Sequence, residues 1–144
     1  MFLFLSKLRS KRKRRRVLFN FYQEVAKNWE SWHVMYQRNV LDKFSLISWQ
    51  TIQEDKALNT DQKILDYVNA LTDYNQSMGD FKKFEQWYSA DIENKTTENA
   101  RLLHDKKEIA ATKFNGLLAV VESVKTELER QLQEQKIKIP CGTA

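Results

Sequence analysis

Two side chains in this sequence have the spacing of a metal-binding pair. Glu30 and His33 are three positions apart, which places a carboxylate and an imidazole on one face of a helix. Carboxylate-bridged metal sites inside helical bundles need two such pairs and further inward-facing glutamates. The other histidine, His104, follows Arg101 at the corresponding position, so the second pair is missing. The sequence therefore predicts no metal site.

Catalysis by acid–base or nucleophilic chemistry requires several polar groups that converge in one pocket. His33 and His104 are predicted on different helices, and Cys141 lies in a predicted tail with no fixed histidine or cation to activate it. The final Cys-Gly-Thr-Ala lacks the aliphatic pair of a prenylation box, and no glycine-rich phosphate loop is present. We therefore predict a non-enzymatic protein with no cofactor and no small-molecule substrate.

The first sixteen residues, MFLFLSKLRSKRKRRR, account for the net positive charge of the chain. They carry no acid, and residues 17–144 contain 16 basic residues against 19 acidic ones, so the net charge of +5 arises from this segment. The folded part therefore has no general attraction for polyanions. The candidate contact residues for a membrane or an anion are four apolar side chains followed by eight cations: Phe2, Leu3, Phe4, Leu5, Lys7, Arg9, Lys11, Arg12, Lys13, Arg14, Arg15 and Arg16.

The order of these residues indicates a membrane-surface segment. A secretory signal places its charges before an apolar core of roughly 7 to 15 residues, and a spanning helix needs about 20 apolar residues. Neither pattern occurs here. Cations and a short apolar end instead supply two weak membrane signals together. We expect a cytoplasmic, membrane-associated protein in contact with an anionic membrane surface, and a transmembrane helix upstream of Met1 is the alternative anchor.

Nucleic acid is the second partner that a basic arm suggests. Proteins that bind single strands interleave aromatic residues with cations so that bases can stack, but Phe2 and Phe4 both precede the charges. Basic runs also serve as nuclear localisation signals. The alternative function is therefore a helical nucleic-acid-binding protein that uses its basic amino-terminal arm. An enzyme or cofactor carrier with a site inside the bundle is a third hypothesis.

Composition and periodicity predict an all-α fold. The chain has only 3 glycines and 1 proline, too few for the turns of a β architecture. Apolar residues recur every three or four positions from Leu18 to Ile47, which predicts a first helix. This helix either continues to about Lys56 or breaks near residues 39–42, where the apolar pattern drifts.

The second helix is predicted after a polar turn. Asn59 and Thr60 are residue types that cap helices, and an apolar stripe then runs from Ile64 to Ile92. Gly79 interrupts the stripe and leaves the helix either continuous or kinked. Residues 93–98 contain no apolar side chain and predict the next turn.

The third helix has the heptad pattern of coiled coils and bundles. Leu118 and Leu132 widen its apolar face, which favours a bundle over a two-stranded coil. The pattern is expected to end near Lys136, ahead of Pro140. The predicted core positions of this helix are Ala100, Leu103, Lys107, Ala110, Phe114, Leu117, Val121, Val124, Leu128 and Gln131.

Three long amphipathic segments joined by short turns predict an antiparallel up-down-up bundle over residues 17–138. Residues 1–16 form a separate membrane-proximal segment, and residues 139–144 form a flexible tail. Trp49 and Trp87 lie off the apolar stripes, so we expect them to be exposed and to contact a protein partner or a second copy. The leading hypothesis is an interaction or assembly module that its first residues hold at a membrane.

Overall fold

A computed structural model describes residues 2–134, with side chains from residue 11 onward. No strand occurs within these residues, and the predicted all-α bundle of three long helices is confirmed. The predicted end near Lys136 and the tail at 139–144 lie outside the described range. The helices are α1 (Phe2–Arg38), the single-turn helices α2 (Trp49–Ile52) and α3 (Lys56–Asn59), α4 (Gln62–Ala90) and α5 (Thr97–Glu134), with a short 3-10 helix at Ile92–Asn94.

The first helix ends where the apolar pattern drifts. Asn39 has φ 53°, a left-handed conformation that asparagine tolerates better than most residues. The Asn39 N–H donates to the Tyr36 carbonyl at 3.3 Å, and the Val40 N–H donates to the Met35 carbonyl at 3.0 Å. These two bonds form a Schellman motif, which satisfies the last carbonyls of α1. The predicted break is confirmed, and a helix continuing to Lys56 is wrong.

Both α1 and α4 run antiparallel to α5. Along α1, the Trp29 and Trp32 indoles bond Glu122 and the Phe114 carbonyl respectively, so later residues of α1 meet earlier residues of α5. Along α4, Lys63 lies 3.9 Å from Glu127 and Asp73 lies 2.9 Å from Lys113, in the same sense. The first and fourth helices are therefore parallel to each other. The predicted up-down-up order is wrong, and the observed order is up, up, down.

Residues 39–61 explain this order because they form a crossover that runs back along α1. Ser45 bonds Asn28, and Asp55, further along the crossover, pairs with Arg14, much nearer the start of α1. A connection of this length allows consecutive long helices to be parallel, whereas a short turn makes them antiparallel. The up-down-up prediction failed because it treated most of this crossover as helix.

The α4 helix is capped at its start and is continuous at Gly79. Asp61 precedes the helix, and its carboxylate accepts bonds from the N–H groups of Lys63 and Ile64 at 3.0 and 3.2 Å. The cap is thus Asp61 and not Asn59, whose side chain donates to the Gln53 carbonyl. The helix runs unbroken through Gly79.

One core joins the three long helices and the crossover. The ends of α4 and α5 nearest their connecting turn extend past this core, so Ala100 and Lys107 are exposed and Ile92 is 83% exposed. The buried apolar side chains are Leu18, Phe21, Tyr22, Val25 and Trp32 from α1, Phe44, Ile52 and Leu58 from the crossover, Ile64, Tyr67, Val68, Leu71, Tyr74, Met78 and Phe81 from α4, and Ala110, Phe114, Leu117, Val121, Val124, Leu128 and Leu132 from α5.

Candidate functional site at the basic end of the first helix

The basic segment is the beginning of α1 and continues into the bundle without interruption. The helix begins at Phe2, so residues 2–16 form about 22 Å of helix ahead of the half-buried Val17. All six residues from Lys11 to Arg16 are exposed. Successive residues are about 100° apart around a helix, so six in a row cover its whole circumference. We call Lys11–Arg16 the basic collar.

One member of the basic collar is tied to the crossover. Arg14 Nε lies 3.1 Å from Asp55 Oδ2, and the Asp55 carboxylate also accepts a bond from Ala57 N–H at the start of α3. The Arg14 side chain remains 58% exposed, so this pair contributes at most about 1 kcal/mol. Within the part of the chain that the structure describes, the other five cations of the collar have no carboxylate partner.

The structure arranges the remaining candidate residues of this segment along the same helix. Residues 2–5, 7 and 9 are positions of α1 beyond the basic collar, and their side chains lie outside the described set. At the other side of the collar, Leu18 is 1% exposed and marks the first full layer of the core. The basic collar therefore separates the apolar positions 2–5 from the bundle.

The two tryptophans predicted to be exposed differ from each other. Trp87 is 47% exposed near the end of α4, and its ring lies 5.4 Å from that of Phe84. Trp49 is half-buried against the core, so the prediction of an exposed side chain is wrong for this residue. The reason is that Trp49 is three residues before Ile52 in α2, on the same side of the helix, and Ile52 is fully buried in the core. A partner contact at either residue stays a prediction.

The structure shows that Glu30 and His33, the residues with metal-binding spacing, have different surroundings. The His33 ring packs edge-to-face against the indoles of Trp29 and Trp32, at centroid distances of 4.5 and 5.2 Å, and Glu30 is exposed. No group of three or more metal-ligating side chains is brought together within the described residues. The arrangement around His33 is therefore an aromatic cluster.

Polar residues that hold the crossover were not identified from the sequence. Asn28 is 3% exposed, and its amide accepts from Ser45 N–H at 3.2 Å and donates to the Ser45 carbonyl at 2.8 Å and to Tyr67 Oη at 2.7 Å. Asn75 pairs in the same way with the N–H and carbonyl of Phe44, both at 3.0 Å. The available signal was that Asn28 occupies an apolar-stripe position of α1, where a polar side chain needs a buried partner.

A carboxylate on α1 also holds the crossover. Glu24 Oε2 accepts bonds from Ser45 Oγ at 2.9 Å and from the Ser48 N–H at 3.2 Å. These contacts lie between the Asn28 amide and the Arg14 pair along the helix. The crossover is thus fastened to α1 at three levels, which fixes where the basic collar leaves the bundle.

An ion network lies on α5 toward its end, on the same end of the bundle as the basic collar. Arg130 donates to Glu127 at 2.5 Å and also bonds Glu134. Its hydrogen bond, helped by one from Gln131, lowers the pKa of Glu127 to about 2. The Glu127 and Glu134 carboxylates therefore remain ionised and are paired with cations, Arg130 on the same helix and Lys63 on α4.

Among residues 2–134, no helix has an apolar stretch long enough to cross a membrane. Comparisons of the chain with family models, with curated proteins and with solved structures found no match.

Proposed function

We propose that this protein is a non-enzymatic interaction or assembly module that its amino-terminal segment holds at an anionic, cytoplasmic membrane face. The observation that carries the proposal is the basic collar, in which six exposed cations surround a helix that leaves a mildly acidic bundle. The net positive charge thus lies in the amino-terminal segment, and the hydrophobic core lies in the bundle. The collar supplies attachment, and the bundle supplies the surface for assembly.

The energetics of attachment favour a membrane. A lysine or arginine near an anionic leaflet contributes about 1 kcal/mol, and the effect declines over a Debye length of about 10 Å at 0.1 M salt. The eight cations of residues 1–16 therefore supply several kcal/mol, and the apolar positions 2–5 add a second signal. Both signals lie on one short length of helix.

The distribution of cations also indicates how the helix approaches the membrane. A helix that lies flat in the interface needs an apolar stripe along one side. Lys11–Arg16 are all cationic, so this part of α1 has no apolar side. We therefore expect an end-on approach, with positions 2–5 at the acyl boundary and the basic collar among the headgroups.

Binding of a nucleic acid is the alternative function and is less well supported. The basic collar contains no aromatic residue on which a base could stack, although it could contact phosphates. Both functions predict binding that weakens with salt. They differ in whether the full chain prefers an anionic bilayer or an oligonucleotide of comparable charge.

Vesicle co-sedimentation tests the proposal. At ~0.1 M salt, we expect the full chain to pellet with phosphatidylcholine vesicles that contain about 30% phosphatidylserine, and not with phosphatidylcholine alone. A collar variant replaces Lys11, Arg12, Lys13, Arg15 and Arg16 with glutamine and keeps Arg14, which pairs with Asp55. Loss of five cations should reduce the partition coefficient by more than about 100-fold.

The matched control removes the same charge from elsewhere in the molecule. It replaces five exposed cations with glutamine, and it should retain most of the vesicle binding. If both variants bind equally, or if the full chain ignores the anionic vesicles, the proposal is wrong. Tighter binding to an oligonucleotide, lost in the collar variant, would support the alternative. The control positions are Lys43, Lys83, Lys95, Arg101 and Lys107.

A further inference from the structure

A cleft of about 450 Å³ opens between the basic collar and the crossover, where α1 leaves the bundle. Sites that bind small molecules have volumes of about 300 to 1,000 Å³, so this cleft is large enough for a lipid headgroup. One of its lining residues is apolar, and the other six are polar or charged. We call the lining residues the collar cleft: Val17, Lys13 and Arg14 from α1, and Thr51, Glu54, Asp55 and Lys56 from the crossover.

The charged residues of the collar cleft fall into two groups. Arg14 and Asp55 are already paired with each other across the cleft, at 3.1 Å. Lys13, Glu54 and Lys56 are exposed, and none of them forms an ion pair within the part of the chain that the structure describes. The collar cleft therefore offers two cations and one carboxylate to a ligand.

The Arg14 and Asp55 pair joins the two walls of the collar cleft. The Asp55 carboxylate also accepts bonds from the N–H groups of Ala57 and Leu58, at 2.9 and 3.3 Å. Leu58 is only 5% exposed, so the crossover wall is anchored in the bundle core. A site whose walls are held together before binding has less to order when the ligand enters.

The available charges are complementary to those of a phosphatidylserine headgroup. That headgroup carries a phosphate, a carboxylate and a primary ammonium, which match two cations and one carboxylate in number and sign. Phosphatidylglycerol has the same net charge but no ammonium, so Glu54 would gain no partner from it. The quaternary ammonium of phosphatidylcholine has no N–H group to donate to a carboxylate. Charge-assisted hydrogen bonds to all three groups are therefore possible only with the serine headgroup among these lipids.

We propose that the collar cleft is a headgroup site that selects phosphatidylserine among anionic lipids. Lys13 and Lys56 pair with the phosphate and the carboxylate, and Glu54 accepts hydrogen bonds from the serine ammonium. The other cations of the basic collar act through charge and do not distinguish one anionic lipid from another. The inference rests on the proposed function, because it names the lipid that the same segment contacts.

The position of the collar cleft along α1 agrees with this role. Lys13 is eight positions beyond position 5, about 12 Å along the helix, and the headgroup layer of one leaflet is about 5 to 8 Å thick. Side chains of a helix lean toward its amino terminus, so in an end-on approach Lys13 and Arg14 lean toward the membrane. The serine group is the outermost part of the lipid, which is the part that this cleft reaches.

Vesicles of equal charge and different headgroup test the selection. The two vesicle types contain phosphatidylcholine with about 30% of either phosphatidylserine or phosphatidylglycerol. At ~0.1 M salt, the full chain should bind the serine vesicles about three- to tenfold more tightly. Both lipids carry one net negative charge, so charge alone predicts equal partition coefficients. A ratio below about twofold overturns the inference.

Glu54→Gln should abolish the preference for the serine vesicles. Because this change removes a negative charge beside the basic collar, it should strengthen binding to both vesicle types, and the readout is the ratio between them. Glu30→Gln is the matched control, at an exposed position of α1 outside the collar cleft, and should keep the parent ratio. Both variants should be as helical as the parent by circular dichroism. An unchanged ratio in Glu54→Gln overturns the assignment of the cleft.

Phosphatidylethanolamine is the other common lipid with a phosphate and a primary ammonium, and it has no net charge. If about 30% of it, added to the glycerol vesicles, raises binding to the level of the serine vesicles, the choice of serine is wrong. The selection and the proposed function fail separately. Equal binding to serine and glycerol vesicles, lost in the collar variant, would leave the attachment intact and overturn only the selection. A full chain that binds neither vesicle type overturns both.

Discussion

Replacement of Asn28 by alanine should lower the free energy of unfolding by about 3 to 5 kcal/mol. The change removes three hydrogen bonds, two to the backbone of Ser45 and one from the Asn28 amide to Tyr67 Oη. Tyr67 is fully buried, so its hydroxyl loses a partner without gaining water. Ser45 is half-buried and can be partly rehydrated. An unsatisfied buried group costs about 1 to 3 kcal/mol, and the deleted amide also leaves a small cavity.

Urea unfolding followed by circular dichroism measures this change, with Asn20→Ala as the matched control. Asn20 lies on the exposed side of the same helix. Both substitutions gain the same intrinsic helix propensity, about 0.6 kcal/mol, so the difference between them isolates the buried contacts. Limited proteolysis adds a local readout, because a released crossover should be cleaved within residues 39–61 sooner than in the control.

A difference of less than about 1 kcal/mol between the two variants would refute this reasoning. The crossover would then be held by the apolar side chains of Phe44 and Ile52, and the Asn28 amide would add only specificity. Unchanged proteolysis within residues 39–61 would lead to the same conclusion. The expected loss is large against a typical total of about 5 to 15 kcal/mol, so melting should also begin at a clearly lower temperature.

Three further predictions concern other parts of the molecule. Gly79→Ala should stabilise the protein by about 0.5 to 1 kcal/mol in urea unfolding, because an added Cβ meets nothing within 4 Å. Burial raises the pKa of Tyr67 and Tyr74 above 10, so stability should be complete below pH 10 and fall as tyrosines of the unfolded chain ionise above it, measured by circular dichroism and tyrosinate absorbance. Glu127→Gln should flatten the loss of stability between about pH 4.5 and 2, because the pKa of Glu127 is lowered to about 2 in the folded state.

The apolar positions of the helices could be predicted because helical periodicity is a local property of the sequence. The stripe from Ile64 to Phe81 is buried as expected, and the end of α1 coincides with the drift in its pattern. The direction of α4 could not be predicted in the same way. It depends on contacts such as the one between Asn28 and Tyr67, which are 39 residues apart and leave no periodic signal.

The candidate contact residues show the same difference between local and long-range information. The exposure of Lys11–Arg16 follows from composition alone, because six consecutive cations cannot be buried without carboxylates and the segment has none. Trp49 shows the opposite case. Its burial depends on how the crossover folds over the core, and its position off the apolar stripe gave no information about that surface.

The direction of α4 also determines how far Trp87 lies from the basic collar. In an up-down-up bundle, the second turn lies beside the start of the first helix, and Trp87 would stand near the basic collar. Because α1 and α4 are parallel, the whole length of α4, about 43 Å, separates the end nearest the collar from the turn near Trp87. That distance exceeds several Debye lengths at physiological salt, so charges at one end have little effect at the other. A Trp87→Ala substitution should therefore leave vesicle binding unchanged and should act additively with the collar variant.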